Sequence, residues 1–204
     1  MKRNLKILIF LFFVCLRLLA QNQLPIQMLD AEIKPLPSLL NKSLQVNLER
    51  ELKAHPDWKK LIQEKKMAVG VVDLSDPNYT RFASINGNYM MYAASLPKIA
   101  ILLAAMDAMD KGELKETQEI KDDMRLMISK SNNQASTRMI DRVGYKKIED
   151  VMLDPKYEFY DEHKGGGLWV GKRYGSGGDT NREPLKNLSH AATVTQVCRY
   201  YYLL

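Results

Sequence analysis

Hydrophobic positions recur along this chain with two different spacings, one typical of helices and one typical of strands. Apolar side chains at every third or fourth position predict an amphipathic helix over residues 39–54. Two short apolar runs, residues 67–74 and 81–85, each end in a cluster of turn-forming residues and predict two antiparallel strands. A strand-like run at residues 88–94 then leads into the apolar residues 99–106, which predict a long buried helix.

The second half of the chain has a helical pattern at both ends and an irregular middle. Residues 124–128 and 135–143 predict two helices, and residues 147–153 predict a third. Residues 157–188 contain two glycine clusters and little periodicity, which predicts a long irregular segment of a kind that is uncommon unless functional or disordered. Helical spacing resumes over residues 190–204.

The start of the chain is typical of a secretory signal, with a basic beginning and an apolar run over residues 7–16. That run is too short for a comfortable membrane span, although Arg17 near the cleavage position leaves an uncleaved anchor as an alternative. We therefore expect residues 1–20 to be a signal peptide, residues 21–38 an extended lead-in with three prolines, and residues 39–204 the folded domain of a bacterial periplasmic or secreted protein.

Composition narrows the choice of partners. Removing residues 1–20 takes away four basic and no acidic residues, which lowers the formal charge from +6 to +2. No basic arm with interleaved aromatic residues is present, so no nucleic-acid partner is expected. One cysteine, Cys198, would remain, and it cannot form an internal disulfide. The histidines His55, His163 and His190 lack metal-ligand spacing, so we expect them at surface or cap positions and predict no metal or cofactor.

The first candidate for chemistry is the pair Ser95 and Lys98, which directly precedes the long apolar helix. Residues three apart share a helix face, so the lysine amine can come within reach of the serine hydroxyl. A serine beside a base is a candidate nucleophile. Ser95 is also a good N-cap residue, with Pro97 in the first turn, and that structural role is the alternative explanation.

A second polar motif, Ser131-Asn132-Asn133, lies between two predicted helices, where serine and asparagine are also common for structural reasons. In this order the two motifs resemble the S-x-x-K and S-D-N or S-x-N motifs of the penicillin-binding and serine β-lactamase superfamily, most closely its class A β-lactamase-like branch. Asn132 stands where that family usually has aspartate. The resemblance implies an α+β fold, in which a helical subdomain packs on an antiparallel sheet.

The resemblance also implies roles for these residues. Ser95 would attack a carbonyl carbon, and Lys98 would take its proton once a buried cationic neighbourhood lowers the pKa of the amine. Ser131 would relay a proton to the leaving nitrogen, and Asn133 would donate to a substrate amide.

A third motif, from Glu183 to Asn187, resembles the E-P-x-x-N loop of class A enzymes, in which the glutamate and the asparagine hold the deacylating water. The stretch from Asn187 to the next helix is much shorter than in those enzymes, so a solvated loop carboxylate is the alternative.

Taken together, the motifs predict an exported serine hydrolase that acts on β-lactams through an acyl-enzyme, with a β-lactam or a peptidoglycan peptide as its small-molecule partner. A D-alanyl-D-alanine peptidase and an inactive peptidoglycan-peptide-binding homologue are the alternatives. The K-T-G motif of the superfamily is missing up to Leu204, and Lys164-Gly165-Gly166 is its nearest match. We therefore expect the chain to stop before the last part of the sheet, and a contact with the membrane only through the signal peptide.

Overall fold

The computed structural model of the chain describes residues 34–76 and 78–203. The predicted signal peptide and most of the lead-in lie outside the described residues. Within the described part are seven α-helices: α1 (Lys42–Lys53), α2 (Pro56–Gln63), α3 (Lys98–Asp110), α4 (Gln118–Ser129), α5 (Asn133–Val143), α6 (Tyr145–Leu153) and α7 (Val194–Leu203). The strands are β1 (Val69–Asp73), β2 (Arg81–Ile85), β3 (Met91–Tyr92), β4 (Tyr160–Asp161), β5 (Gly166–Gly167), β6 (Trp169–Val170) and β7 (His190–Ala192).

The strands are all paired antiparallel, in three small sheets: β1 with β2, β4 with β5, and β7 between β3 and β6. The predicted α+β class is therefore confirmed. The described residues also contain two short 3₁₀ helices, at Leu36–Leu39 and Glu162–Lys164. No helix in the described ranges is both long and apolar enough to span a membrane.

Helix α1 packs on strand β2, and one of its side chains forms the pair of backbone hydrogen bonds that a neighbouring strand would form. The amide of Gln45 accepts from Ser84 N at 3.0 Å and donates to Ser84 O at 3.0 Å. The helix begins at Lys42, because the Asn41 side chain accepts a hydrogen bond from Leu44 N and caps the first turn. The helix predicted from residue 39 thus starts three residues later, and Leu40 instead pairs with Phe82.

Helix α7 packs against strand β1 at a glycine. A Cβ atom at Gly70 would lie 2.6 Å from the Sγ of Cys198 and would also overlap Val194. Only a residue without a side chain allows this close approach between helix and strand. Cys198 is half-buried and packs there as a small hydrophobic side chain, as expected for a free cysteine.

Helix α3 is the centre of the core. Its alanines at positions 100, 104, 105 and 108 are almost fully buried, and their small size lets helices α5 and α6 pack closely on α3. Helices α4 and α5 are joined by the buried Asp123, whose carboxylate binds Arg138 and Arg142. The hydrogen bond from Arg138 is the main reason that the pKa of Asp123 lies below its usual value. These ion pairs join helix α4 to helix α5 and so fix the connection between them at residues 130–132.

Two predictions from the hydrophobic pattern are wrong in the second half of the chain. Residues 157–188 contain the strands β4, β5 and β6, and residues 190–192 form strand β7 before the last helix begins at Val194. The Thr193 side chain accepts from Gln196 N, which supports that later start. Each of these strands is two or three residues long, too short for period-two alternation, so their pairing depends on partners distant in the sequence.

Candidate active site

Ser95 lies in an exposed turn between strand β3 and helix α3. The prediction that Ser95 is the N-cap residue is wrong, because the helix begins at Lys98, with Pro97 at the cap position. The two residues are nevertheless one turn apart, since Lys98 N donates to Ser95 O at 3.2 Å. The N–H of Ser95 has no hydrogen-bond partner among the described residues, so it is free to donate to a substrate oxygen.

The backbone is strained at the predicted motifs. Six described residues other than glycine have a positive φ, and Ala94 (46°), Ser131 (50°) and Asn187 (55°) are among them. Ala94 directly precedes Ser95, and the other two belong to the second and third motifs. A side chain in this region of φ costs energy, and such residues cluster at active sites.

Lys98 is almost fully buried, with 2% of its surface exposed. Its amine donates three hydrogen bonds, at 2.6 Å to Ser131 O, at 3.0 Å to Ser131 Oγ and at 2.8 Å to Asn133 Oδ1. The structure therefore brings together three of the predicted site residues: Lys98 at the start of helix α3, and Ser131 and Asn133 at the connection between helices α4 and α5. No hydrogen bond joins Lys98 Nζ to Ser95 Oγ within the described ranges, and catalytic contacts of this kind often tighten only when substrate is bound.

The environment of Lys98 lowers the pKa of the amine, and the cause is burial. The sequence prediction attributed this lowering to cationic neighbours. Burial has the same direction because an ammonium loses hydration inside the protein. A lowered pKa increases the neutral fraction of the amine, and only the neutral amine can accept a proton from a serine.

The connection between helices α4 and α5 presents the second motif. The side chain of Asn132 accepts from Ala135 N at 2.8 Å, so the residue that replaces the usual aspartate is the N-cap of α5. Ser131 and Asn133 are exposed on either side of it. Because the Asn133 oxygen accepts from Lys98, its amide nitrogen remains free to donate to a substrate.

Glu183 lies in a separate turn and is buried, with 1% of its surface exposed. One carboxylate oxygen accepts from Tyr160 Oη and from Leu185 N at 2.8 Å, and the other accepts from Lys186 N at 2.7 Å. The solvated loop carboxylate considered as an alternative is therefore wrong. Asn187 closes the turn through its backbone, and its side chain is exposed. Among the described residues, no hydrogen bond joins Glu183 or Asn187 to Lys98, Ser131 or Asn133.

Two residues beside Lys98 were missed by sequence reasoning. The ring centroid of Tyr174 lies 4.6 Å from Lys98 Nζ, and the ring stacks on His190. His190 is 2% exposed, so the expected surface or cap position is wrong for this histidine, while His55 and His163 are exposed. No group of three His, Cys, Asp or Glu side chains with metal-binding geometry occurs in the part of the chain that the structure describes.

Comparison with known families shows a similarity over part of the chain. Residues 48–125 match a family model described as the Beta-lactamase enzyme family. Over this segment the chain is similar to that family. The matched segment includes Ser95 and Lys98 and ends before Ser131. No curated protein and no solved structure matches the chain.

Proposed function

We propose that this β-lactamase-like hydrolase is an exported enzyme that forms an acyl-enzyme with β-lactams through Ser95. The observation that carries the proposal is the triple hydrogen bond of the buried Lys98 amine to Ser131 and Asn133. A lysine almost fully withdrawn from water, beside an exposed serine and a second serine hydroxyl, provides a base and a proton path together. The apolar segment at residues 7–16 supports export.

The proposed reaction begins when the Ser95 Oγ attacks the β-lactam carbonyl carbon and its proton passes to the neutral Lys98 amine. The Ser95 N–H stabilises the negative charge that develops on the carbonyl oxygen. When the carbon–nitrogen bond breaks, Lys98 returns the proton through the Ser131 hydroxyl to the leaving nitrogen. The 3.0 Å distance between Lys98 Nζ and Ser131 Oγ supports this relay.

Hydrolysis of the acyl-enzyme is the step assigned to Glu183 and Asn187 in the proposal. The Glu183 carboxylate is buried and binds backbone N–H groups of its own turn. Each of its two oxygens already accepts a hydrogen bond from the protein. This bonding favours a second candidate function, a D-alanyl-D-alanine peptidase-like enzyme that uses Ser95 and Lys98 without a deacylating glutamate.

The test is the mass of the full chain after incubation with a penicillin. We expect one covalent adduct, located on the peptide that contains Ser95, and none in Ser95→Ala. Ser75→Ala is the matched control, because Ser75 is an exposed serine in the turn after strand β1. An unmodified wild-type protein would instead favour a catalytically inactive homologue that binds peptidoglycan peptides, and an adduct that persists in Ser95→Ala would refute the nucleophile assignment.

A further inference from the structure

A second group of side chains lies beside Lys98, in addition to Ser131 and Asn133. It consists of Tyr174, from the loop between strands β6 and β7, and His190, from strand β7. The two rings are parallel, with an interplanar angle of 8° and centroids 4.2 Å apart. Tyr174 thus lies between the Lys98 ammonium and a buried flat ring, which fixes the orientation of the tyrosine.

The hydroxyl of Tyr174 reaches the turn that carries the nucleophile. Tyr174 Oη donates to Ala94 O at 3.1 Å. Ala94 is the residue with positive φ directly before Ser95. One tyrosine therefore contacts both the amine that is proposed to act as the base and the strained peptide that presents the nucleophile.

The side chain of His190 makes no polar contact that would explain its burial. Both ring nitrogens are inaccessible and have no hydrogen-bond partner in the described part of the chain. Leaving buried polar atoms unpaired costs free energy, so the site must benefit from the ring in another way. The stacking on Tyr174 is the contact that offers such a benefit, because it supports the ring that covers Lys98.

We propose that Tyr174 is a positioning residue that excludes water from the Lys98 amine and holds the Ala94 carbonyl beside Ser95, with His190 as the support of its ring. Two effects of the ring on the amine oppose each other. The aromatic face attracts the ammonium, while the loss of hydration favours the neutral amine. Loss of hydration is the larger effect for a side chain that is 2% exposed, and the pKa of Lys98 is lowered accordingly.

Polar and aromatic side chains surround the Lys98 amine from two parts of the fold. Ser131 and Asn133 accept its hydrogen bonds from the α4–α5 side, and Tyr174 and His190 cover it from the β6–β7 side. Lys172 is the nearby cation on that side, and both lysines help to lower the pKa of His190 to about 4 after the larger effect of burial. His190 is therefore neutral near pH 7, so its own titration does not overlap a titration of Lys98 above pH 7.

The inference rests on the proposed function for its catalytic meaning, but its main test does not need activity. The midpoint of Lys98 ionisation is measured in the resting protein by NMR of the lysine side chains, with the Lys98 signal assigned from its absence in Lys98→Arg. We expect the midpoint to rise by about one pH unit or more in Tyr174→Ala, because water then reaches the amine. Tyr174→Phe keeps the ring, so its midpoint should stay at the wild-type value.

A second measurement separates the hydroxyl from the ring. In Tyr174→Phe the hydrogen bond to Ala94 O is lost, so penicillin acylation should slow by about fivefold, the effect of one ordinary hydrogen bond, with no change in the pH at which acylation is half-maximal. If Tyr174→Ala does not fold, His190→Ala tests the same cover by removing its support, and its midpoint should also rise. His163→Ala is the matched control at an exposed histidine.

An unchanged Lys98 midpoint in a folded Tyr174→Ala or His190→Ala protein would overturn the inference. So would a midpoint in Tyr174→Phe that rises as far as in the alanine variant. These outcomes differ from failure of the proposed function, in which no penicillin adduct forms at Ser95 although the Lys98 midpoint still responds to Tyr174.

Discussion

The Lys98 cluster and the Glu183 turn both bury an ionisable side chain, but they hold it in opposite ways. The amine of Lys98 binds residues 33 and 35 positions away, at the junction of two other helices. The carboxylate of Glu183 binds backbone N–H groups two and three positions ahead, and one distant hydroxyl from Tyr160. The first group depends on the tertiary fold, while the second mainly completes its own turn.

This difference bears on the roles proposed for the two groups. The lowered pKa of the Lys98 amine increases its neutral fraction, which is the form that accepts a proton. The Glu183 carboxylate already accepts three hydrogen bonds from the protein. Burial, together with this carboxylate, raises the pKa of its partner Tyr160. The comparison therefore predicts that substitutions in the Lys98 cluster change the rate of acylation, whereas substitutions in the Glu183 turn first change stability.

The largest expected effect is that of Lys98→Met on acylation. Without the amine, the rate of penicillin adduct formation at Ser95 should fall by about 10²–10⁴, the contribution typical of a general base. The measurement is the adduct mass as a function of time. Lys186→Met is the matched control, because the Lys186 amine also donates to a carbonyl, Met90 O at 2.8 Å, and lies over an aromatic ring, yet belongs to the other region. Equal losses in both variants would contradict the comparison.

The next effect concerns the acid stability of the protein. The pKa of His190 is lowered to about 4 in the folded state from about 6.5 in the unfolded chain. The unfolded chain therefore binds a proton between these pH values that the folded protein does not bind, and stability falls as the pH decreases from 6.5 to 4. The contribution is about 3 kcal/mol over this window.

His190→Phe keeps a flat ring in the stack and cannot titrate, so it should lose this part of the pH dependence. Urea unfolding at pH 7 and at pH 4.5 measures it, with His163→Phe as the control at an exposed site. A His190→Phe protein that loses as much stability as the wild type between these two pH values would show that His190 is not kept neutral by its surroundings.

A smaller effect is expected for Glu183→Gln. The amide nitrogen of glutamine would face the donor Lys186 N and leave it unpaired, which lowers the free energy of unfolding by about 1–3 kcal/mol. Acylation of Ser95 should proceed at the wild-type rate. The lifetime of the acyl-enzyme, followed by mass spectrometry in the same samples, decides between the two functions: a longer lifetime supports Glu183 in deacylation, and an unchanged lifetime favours the peptidase-like candidate.

How far the sequence predicts this molecule depends on the distance between interacting residues. The pair Ser95 and Lys98 and the helix pair around residue 131 follow from local spacing, and the hairpin of β1 and β2 follows from two apolar runs with a turn between them. Strand β7 pairs with strands about 100 and 20 residues earlier, so no local pattern marks it. Because the sequence pattern does not predict strand β7, it also does not predict the burial of His190 in that strand.

The burial of Lys98 was beyond local prediction for the same reason. The spacing shows that a serine and a lysine share a helix face, but the cover over the amine comes from Tyr174, 76 positions later in a segment without periodicity. The role of Glu183 is different, since a motif can show which residue stands in a turn without showing which of its atoms are already bonded.

The contact between Gln45 and Ser84 gives the β1–β2 hairpin two unlike sides. Along the outer side of strand β2, Ser84 has its N–H and C=O bound by the Gln45 amide, and Phe82 O accepts from Asn41 N at 2.9 Å. Strand β1 pairs only with β2 among the described residues, so its other side keeps peptide groups available. The Gln45 side chain thus blocks the outer edge of strand β2 against pairing with another strand. A further strand could pair only with the outer edge of strand β1.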